Sequence, residues 1–330
     1  MTGLSVVSCL LSVGLLTGLC QHRGGRFEQD VLSKLPPVAL KAIREQDSLR
    51  YSGTRIVAFR REGELEKHRE FVIKDGRRIR IVFPEGSKFS GQVIVETAHE
   101  RRHFFPSRNE IHISRPRQYE LFEHLFHGGW RGDARTLKFT DEKGSRIAGI
   151  RTELVTVKDG SGNVLQTVNI DPESGLVLKR CLYDQSGVQA GSSEFTEVNF
   201  HPDLDDSLFV LEHRGARITT PLDDLAKVAL KNGFLPAYLT HDSGFDLDSC
   251  RTMEIAGQQV LACQYASSQG HMMLFQLARG VDPEKLKRHA PPQLHTKVLQ
   301  LQGRTFALVG PLDDEILAEA STHLRVGTKR

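Results

Sequence analysis

Between Tyr51 and Phe200 most of the chain alternates apolar with polar side chains in short runs, each closed by a turn. This period of two limits the possible folds more than any other feature of the sequence. "RIVAFRR", "KHREFVIKDGRRIRIVFPEG" and "GQVIVETAHERRHFFPSRNEIHIS" carry it first, around Lys74-Asp75-Gly76, Pro84-Glu85-Gly86 and Pro106-Ser107-Arg108-Asn109. Residues 135–200 repeat it around Asp141-Glu142-Lys143-Gly144, Asp159-Gly160-Ser161-Gly162, Asp171-Pro172-Glu173-Ser174-Gly175 and Gln185-Ser186-Gly187. Strands joined by turns this short pair antiparallel, and one apolar face with one wet face means packing on one side. Roughly nine to eleven strands are expected.

Helical spacing interrupts the alternation. Residues 27–50 read as helical on both sides of Pro36-Pro37, with Val38, Ala39, Ala42 and Ile43 on one face. "QYELFEHLFHGG" reads as a second helix, with Tyr119, Phe122, Leu125 and Phe126 on one face and glycines ending it. A domain boundary is expected at 212–221. Beyond it "PLDDLAKVAL" is a short helix, 237–280 reads as strands, and "VDPEKLKRHAPPQ" as a loop. Residues 295–324 give two strands and a helix whose start holds Asp313-Asp314-Glu315, charges that suit the helix dipole. The expected fold class is α+β: a large curved antiparallel sheet (a half-barrel) over residues 27–211 enclosing helices, then a smaller α+β domain over 221–325.

At 330 residues two domains are the natural division, and 39% apolar with 26% charged content is that of a globular chain. A formal charge of +3 gives no whole-chain reason to bind nucleic acid. Residues 1–20, "MTGLSVVSCLLSVGLLTGLC", carry no charge, and Leu4 to Leu19 is short of the ~20 residues a membrane span needs. This stretch reads as a signal peptide or anchor. Gly18 and Cys20 stand at −3 and −1 of a cut before Gln21, whereas the missing basic n-region and Arg23 and Arg26 leave anchoring open. Cys181, Cys250 and Cys263 remain in the body. Cys250 and Cys263 flank "RTMEIAGQQVLA", two strands about a turn at Ala256-Gly257, so they would stand opposite each other. A disulfide and a pair of small buried thiols are both compatible with that placing.

His99-Glu100-Arg101-Arg102-His103 spells H-E-x-x-H, which binds zinc only where a helix puts both imidazoles on one face. Here Gln92–Thr97 and Arg102–Phe105 read as strands, so the two histidines would straddle a hairpin. No catalytic residue, metal site or cofactor is assigned. G-x-S-x-G and P-loop strings are missing, and the pairs Asp205-Asp206, Asp223-Asp224 and Asp313-Asp314 sit where capping explains them. His68, His103 and His112, on neighbouring strands, are the remaining set that could converge on a metal.

Several stretches resemble the sigma-E regulatory proteins of the RseB/MucB type. Arg146-Ile147-Ala148-Gly149 resembles that family's R-V-A-G turn, Asp171 through Lys179 its D-x-x-T-G-L-x-L-K strand, and "YSGTRIVAF" its first strand. "FLPAYLTHDSGFDL" and "CQYASSQGHMMLFQL" resemble its C-terminal domain, although Tyr265–Gly270 lacks the Asp of the usual turn. The resemblance covers most of residues 30–325. It implies a periplasmic protein: a LolA-like half-barrel of the lipoprotein-carrier kind joined to a smaller domain. As partners it implies the periplasmic part of an anti-sigma factor and a lipid, lipoprotein or lipopolysaccharide-like ligand. A simple lipid carrier, the alternative, would need only the first domain. The hydrophobic hollow for such a ligand is expected from Ile79, Ile81, Phe83, Val93 and Val95 on strands and Phe122 and Phe126 on the helix. Each of these would equally serve in the core that any sheet needs.

Overall fold

Because the apolar positions recur every second residue, the first two-thirds of the chain folds as strands. The computed structural model describes residues 32–61, 63–116, 136–184, 186–255, 257–267, 270–277 and 294–327. The leader, the helix expected to carry Phe122 and Phe126, and the loop 281–293 lie outside the described residues. The chain divides after Arg217 into two compact units, the second also taking in His112–Arg115.

The first unit is built on two meanders. One comprises β1 (Arg50–Arg61), β2 (Glu64–Asp75), β3 (Arg78–Val82), β4 (Val93–Glu96), β5 (Arg101–Phe105) and β6 (Glu110–Ser114). The other comprises β7 (Lys138–Ile147), β8 (Ile150–Lys158), β9 (Val164–Ile170), β10 (Val177–Tyr183) and β11 (Gln189–Asn199). β1 pairs with β11, and with β12 (Arg217–Thr219) beside β6 the two join into one curved, open sheet of twelve strands. The twelfth strand comes from the stretch expected as a boundary. There Arg217 N–H donates to the Asn109 carbonyl and the Arg217 guanidinium pairs with Glu110.

Register assigns every side chain to a face. Val155, Val168, Arg180, Ser193, Val57 and His68 form one row across six strands, and Val72, Ile81 and Ile94 lie on the same side. This is the inner face. The helix α1 (Pro37–Glu45) packs Val38, Ala39 and Ala42 onto Val155, Val157, Val168 and Ile170 there, as its apolar stripe requires. A second inner cluster gathers Tyr51, Phe59, Val72, Ile81, Phe83, Phe89, Ile94, Ile147 and Phe195 among others.

The turn expected at Asp141–Gly144 does not form. β7 runs through it with a bulge between Lys143 and Arg146. A Cβ on Gly144 would fall 2.3 Å from Thr152 Oγ1 and 2.7 Å from Asn169 Nδ2, so glycine here permits close approach rather than reversal. The reversal comes at Ala148-Gly149, where both residues have positive φ (49° and 79°) in a two-residue loop closed by Ile147 and Ile150. That geometry favours Asn-Gly, and an alanine held there costs ~1 kcal/mol. Ala148→Asn is therefore expected to raise the melting temperature of this unit by about 2–4 °C, measured by calorimetry.

The second unit has its own core. Its five-stranded sheet, in the order β14-β15-β16-β18-β17, comprises β14 (Asp246–Ile255), β15 (Gln258–Ser267), β16 (Gly270–Gln276), β17 (His295–Leu301) and β18 (Arg304–Gly310). β13 (Ala237–Leu239) and β19 (Leu324–Val326) make a separate pair. Leu225 and Ala229 of α2 (Pro221–Lys231) and Leu317 and Ala320 of α3 (Asp314–Thr322) share a core with Leu261, Tyr265, Leu274, Phe306 and Leu308. The Asp223 carboxylate accepts from the Thr220 N–H at 2.7 Å and its hydroxyl at 2.9 Å, a capping role. Tyr265 meets the cost of burying its hydroxyl by accepting from Leu239 N–H at 3.0 Å.

Candidate functional site

The inner face around β2 and β3 combines apolar surface with buried charge. Ile81 and Phe83 are buried and Ile79 half-buried, and all three belong to the second inner cluster. Val93 and Val95 do not join them. The loop 84–92 sets Ile94 opposite Ile81, so Val93 meets Val82 and Val95 meets Arg80 on the outer face. Alternation fixes the phase within a strand, but register across a long loop fixes it between strands. Phe122 and Phe126 lie outside the described residues. Of the strand residues expected to line a hollow, Ile79, Ile81 and Phe83 thus share one inner cluster with Ile94, Phe59 and Phe89.

Embedded in this face is a chain of three polar side chains. Glu70, on β2, accepts from Arg55 of β1, with Nη2 at 2.6 Å and Nε at 2.7 Å from Oε2. Its Oε1 lies 2.9 Å from His68 Nε2. Burial opposes the charge on Glu70, yet Arg55 and His68 outweigh it and hold the carboxyl down to about 2. With the carboxylate ionised, Nε2 carries the proton and donates. His68 Nδ1 is sealed from solvent and has no hydrogen-bond partner among the described residues. The rings of Phe89, Phe83 and Phe59 surround it, with centroids 4.8, 5.7 and 6.0 Å away. Lys88, paired with Glu66, lies over Phe59 and Phe89 at 5.4 and 5.5 Å. Farther along the face Arg180 donates to Gln166 at 3.0 Å, and burial pushes its guanidinium down to about 10. The sequence does mark this network, because His68 and Glu70 occupy positions in phase with Val72, where alternation calls for apolar residues.

The H-E-x-x-H string lies on the β4–β5 hairpin. His99 is exposed in the turn, whereas His103 is buried with Nε2 2.9 Å from Gln92 Oε1. β2 and β5 stand three places apart in the sheet, so His68 and His103 are not neighbours. In the second unit Cys250 stands directly opposite Cys263 across β14 and β15, and both thiols are free. Burial, with Asp224 adding to it, pushes the Cys250 thiol up to about 12.

No family model and no curated protein matches the sequence. Among solved structures, the chain is similar in fold to MucB. A crystal structure of MucB in complex with MucA(peri) is 16% identical, with 88% of this chain and 98% of that one covered at a TM-score of 0.41. An uncharacterised conserved protein from Thermus thermophilus is 15% identical over 55% and 96%, also at 0.41. A LolA-superfamily protein from Nitrosomonas europaea is 14% identical over 52% and 97%, at 0.26. Likenesses at these levels assign neither family nor function.

Proposed function

We propose that this chain is an exported, non-enzymatic regulator. It binds a lipid-bearing envelope ligand on the inner face of its large sheet and the periplasmic part of an anti-sigma factor as its protein partner. The observation that carries the reading is the second inner cluster. It sets apolar side chains from both meanders together on the inner face, a surface of the kind that can part around an acyl chain. The sequence resemblance supplies the partner, and the second unit with its own core favours a regulator over a simple carrier. No helix among the described residues is long and apolar enough to cross a membrane. Export would also place Cys250 and Cys263 where they oxidise to a cross-strand disulfide, which stabilises by about 3 kcal/mol in the chain-entropy model.

Native mass spectrometry of the protein purified from an oxidising compartment tests both parts. The expected result is a non-covalent adduct of lipid mass together with an intact mass lower by two hydrogens. Ile79→Asn, at a half-buried inner-face position, should diminish the adduct while the protein stays folded. A protein that carries no lipid, even after incubation with lipid vesicles, removes the ligand. A wild-type mass that does not rise by two hydrogens on reduction confines the cysteines to packing, whereas a bridge predicts that rise in the wild type and its loss in Cys250→Ser.

A further inference from the structure

The outer face of the large sheet ought to be wet, yet an apolar row crosses it. Phe71, Val82, Val93 and Phe104 are paired in register across β2, β3, β4 and β5. The chain covers one end of this row itself. Residues 203–213, "DLDDSLFVLEH", run over the outer face after β11. Arg80 donates to the Leu208 carbonyl at 2.8 Å and Arg102 to the Leu211 carbonyl at 3.3 Å. Arg78 pairs with Asp206 at 2.6 Å and lies 4.5 Å over the Phe209 ring, and His213 stacks on Phe104 at 4.4 Å. An acidic segment with apolar anchors is thus seated on a row of arginines and apolar side chains.

The other end of the row is uncovered. Phe71 is 40% and Ile56 37% exposed, one pair apart on β2 and β1. Arg69, opposite Ile56, and Lys67, the next outward residue of β2, are exposed and have no ion pair among the described residues. Of the two acids on the same face of β11, Glu194, opposite Ile56, is engaged by Lys179 at 2.9 Å, and Glu197, opposite Thr54, is exposed. We infer that this uncovered half is a docking surface for an acidic, apolar-anchored extended segment of a partner protein, bound as residues 203–213 are bound beside it. Apolar anchors would lie on Phe71 and Ile56, and carboxylates would pair with Lys67 and Arg69. The inference rests on the reading of this chain as a partner-binding protein, and it names the surface that does the binding.

The test uses a fluorescein-labelled peptide of sequence DLDDSLFVLE and the full-length chain, followed by anisotropy. Saturable binding is expected, weakening with salt and falling by about tenfold or more in Lys67→Glu/Arg69→Glu and in Phe71→Ser. All side chains changed are exposed, so the melting temperature should hold. Peptide binding that is absent, or equal in the variants, overturns the inference. So does binding of phosphatidylglycerol vesicles, lost in the charge-reversed variant, with no peptide binding, since the surface would then be one for membranes. The inner-face lipid adduct, measured on the same variants, reports separately. Its retention while peptide binding is lost supports two distinct surfaces, and its absence counts against the lipid ligand without touching the peptide result.

Discussion

Arg55→Leu is expected to destabilise the first unit by about 3 kcal/mol at neutral pH, because it leaves a buried carboxylate without its main partner. Glu70 is 6% exposed, and water cannot replace the guanidinium. The pH dependence makes the prediction specific. Glu70 has its carboxyl held near 2 in the fold against an ordinary value of 4.5. A carboxyl depressed by folding contributes stability that is fully present above its unfolded value and lost as pH falls through the folded one. The wild type should therefore lose about 3 kcal/mol between pH 5 and pH 2 from this group. In Arg55→Leu that loss should shrink, so the two stabilities converge on acidification. Urea unfolding of both proteins across this range measures it. A difference below about 1 kcal/mol at pH 7, or one independent of pH, would show that the ion pair does not hold Glu70 down. The double variant Arg55→Leu/Glu70→Leu should regain part of the loss, since a buried ion pair exchanged for apolar side chains is often neutral.

The same residues show how far the fold can be read from the sequence. Period-two alternation locates β1 to β5 and β8 to β11 because each strand buries one face, and helical spacing locates α1, α2 and α3 for the same reason. What alternation cannot carry is phase across a loop. Between Val82 and Val93 the chain has ten residues to reset the register, and Val93 and Val95 end on the outer face although they alternate as cleanly as Ile79 and Ile81. Glycine is ambiguous in the same way, since Gly144 marks a close approach inside β7 while Gly149 marks a reversal. The His68–Glu70–Arg55 network was legible only as a violation. Two polar residues held the apolar phase of β2, and their partner Arg55 sits in phase on β1 between Tyr51, Gly53, Val57 and Phe59. The Cys250–Cys263 placing follows from a two-residue loop, which leaves the register no freedom.

Gly53→Ala should be nearly as damaging as the loss of Arg55, and for a reason no propensity scale contains. Gly53 lies mid-strand in β1, on the inner face, paired with Val72 on one side and Val198 on the other. It has an ordinary extended backbone, so alanine carries no conformational penalty and would reduce the entropy of the unfolded chain. Space decides against it. A Cβ there would fall 2.5 Å from the Glu197 carbonyl oxygen and 3.1 Å from two carbons of the Phe195 ring. The oxygen is backbone and cannot swing aside, and the ring is fixed edge-on against Tyr51 at 5.7 Å. Accommodation requires β11 to move away from β1, at the join between the two meanders. Overpacking of this kind costs about 3 kcal/mol, a fall of roughly 6–12 °C in the melting temperature of this unit. Because the displaced ring belongs to the cluster that holds Ile81 and Phe83, lipid binding should weaken along with stability. A variant that melts within about 2 °C of the wild type would mean that the β1–β11 join yields to a methyl group, and a join that soft would not hold the inner face to one shape.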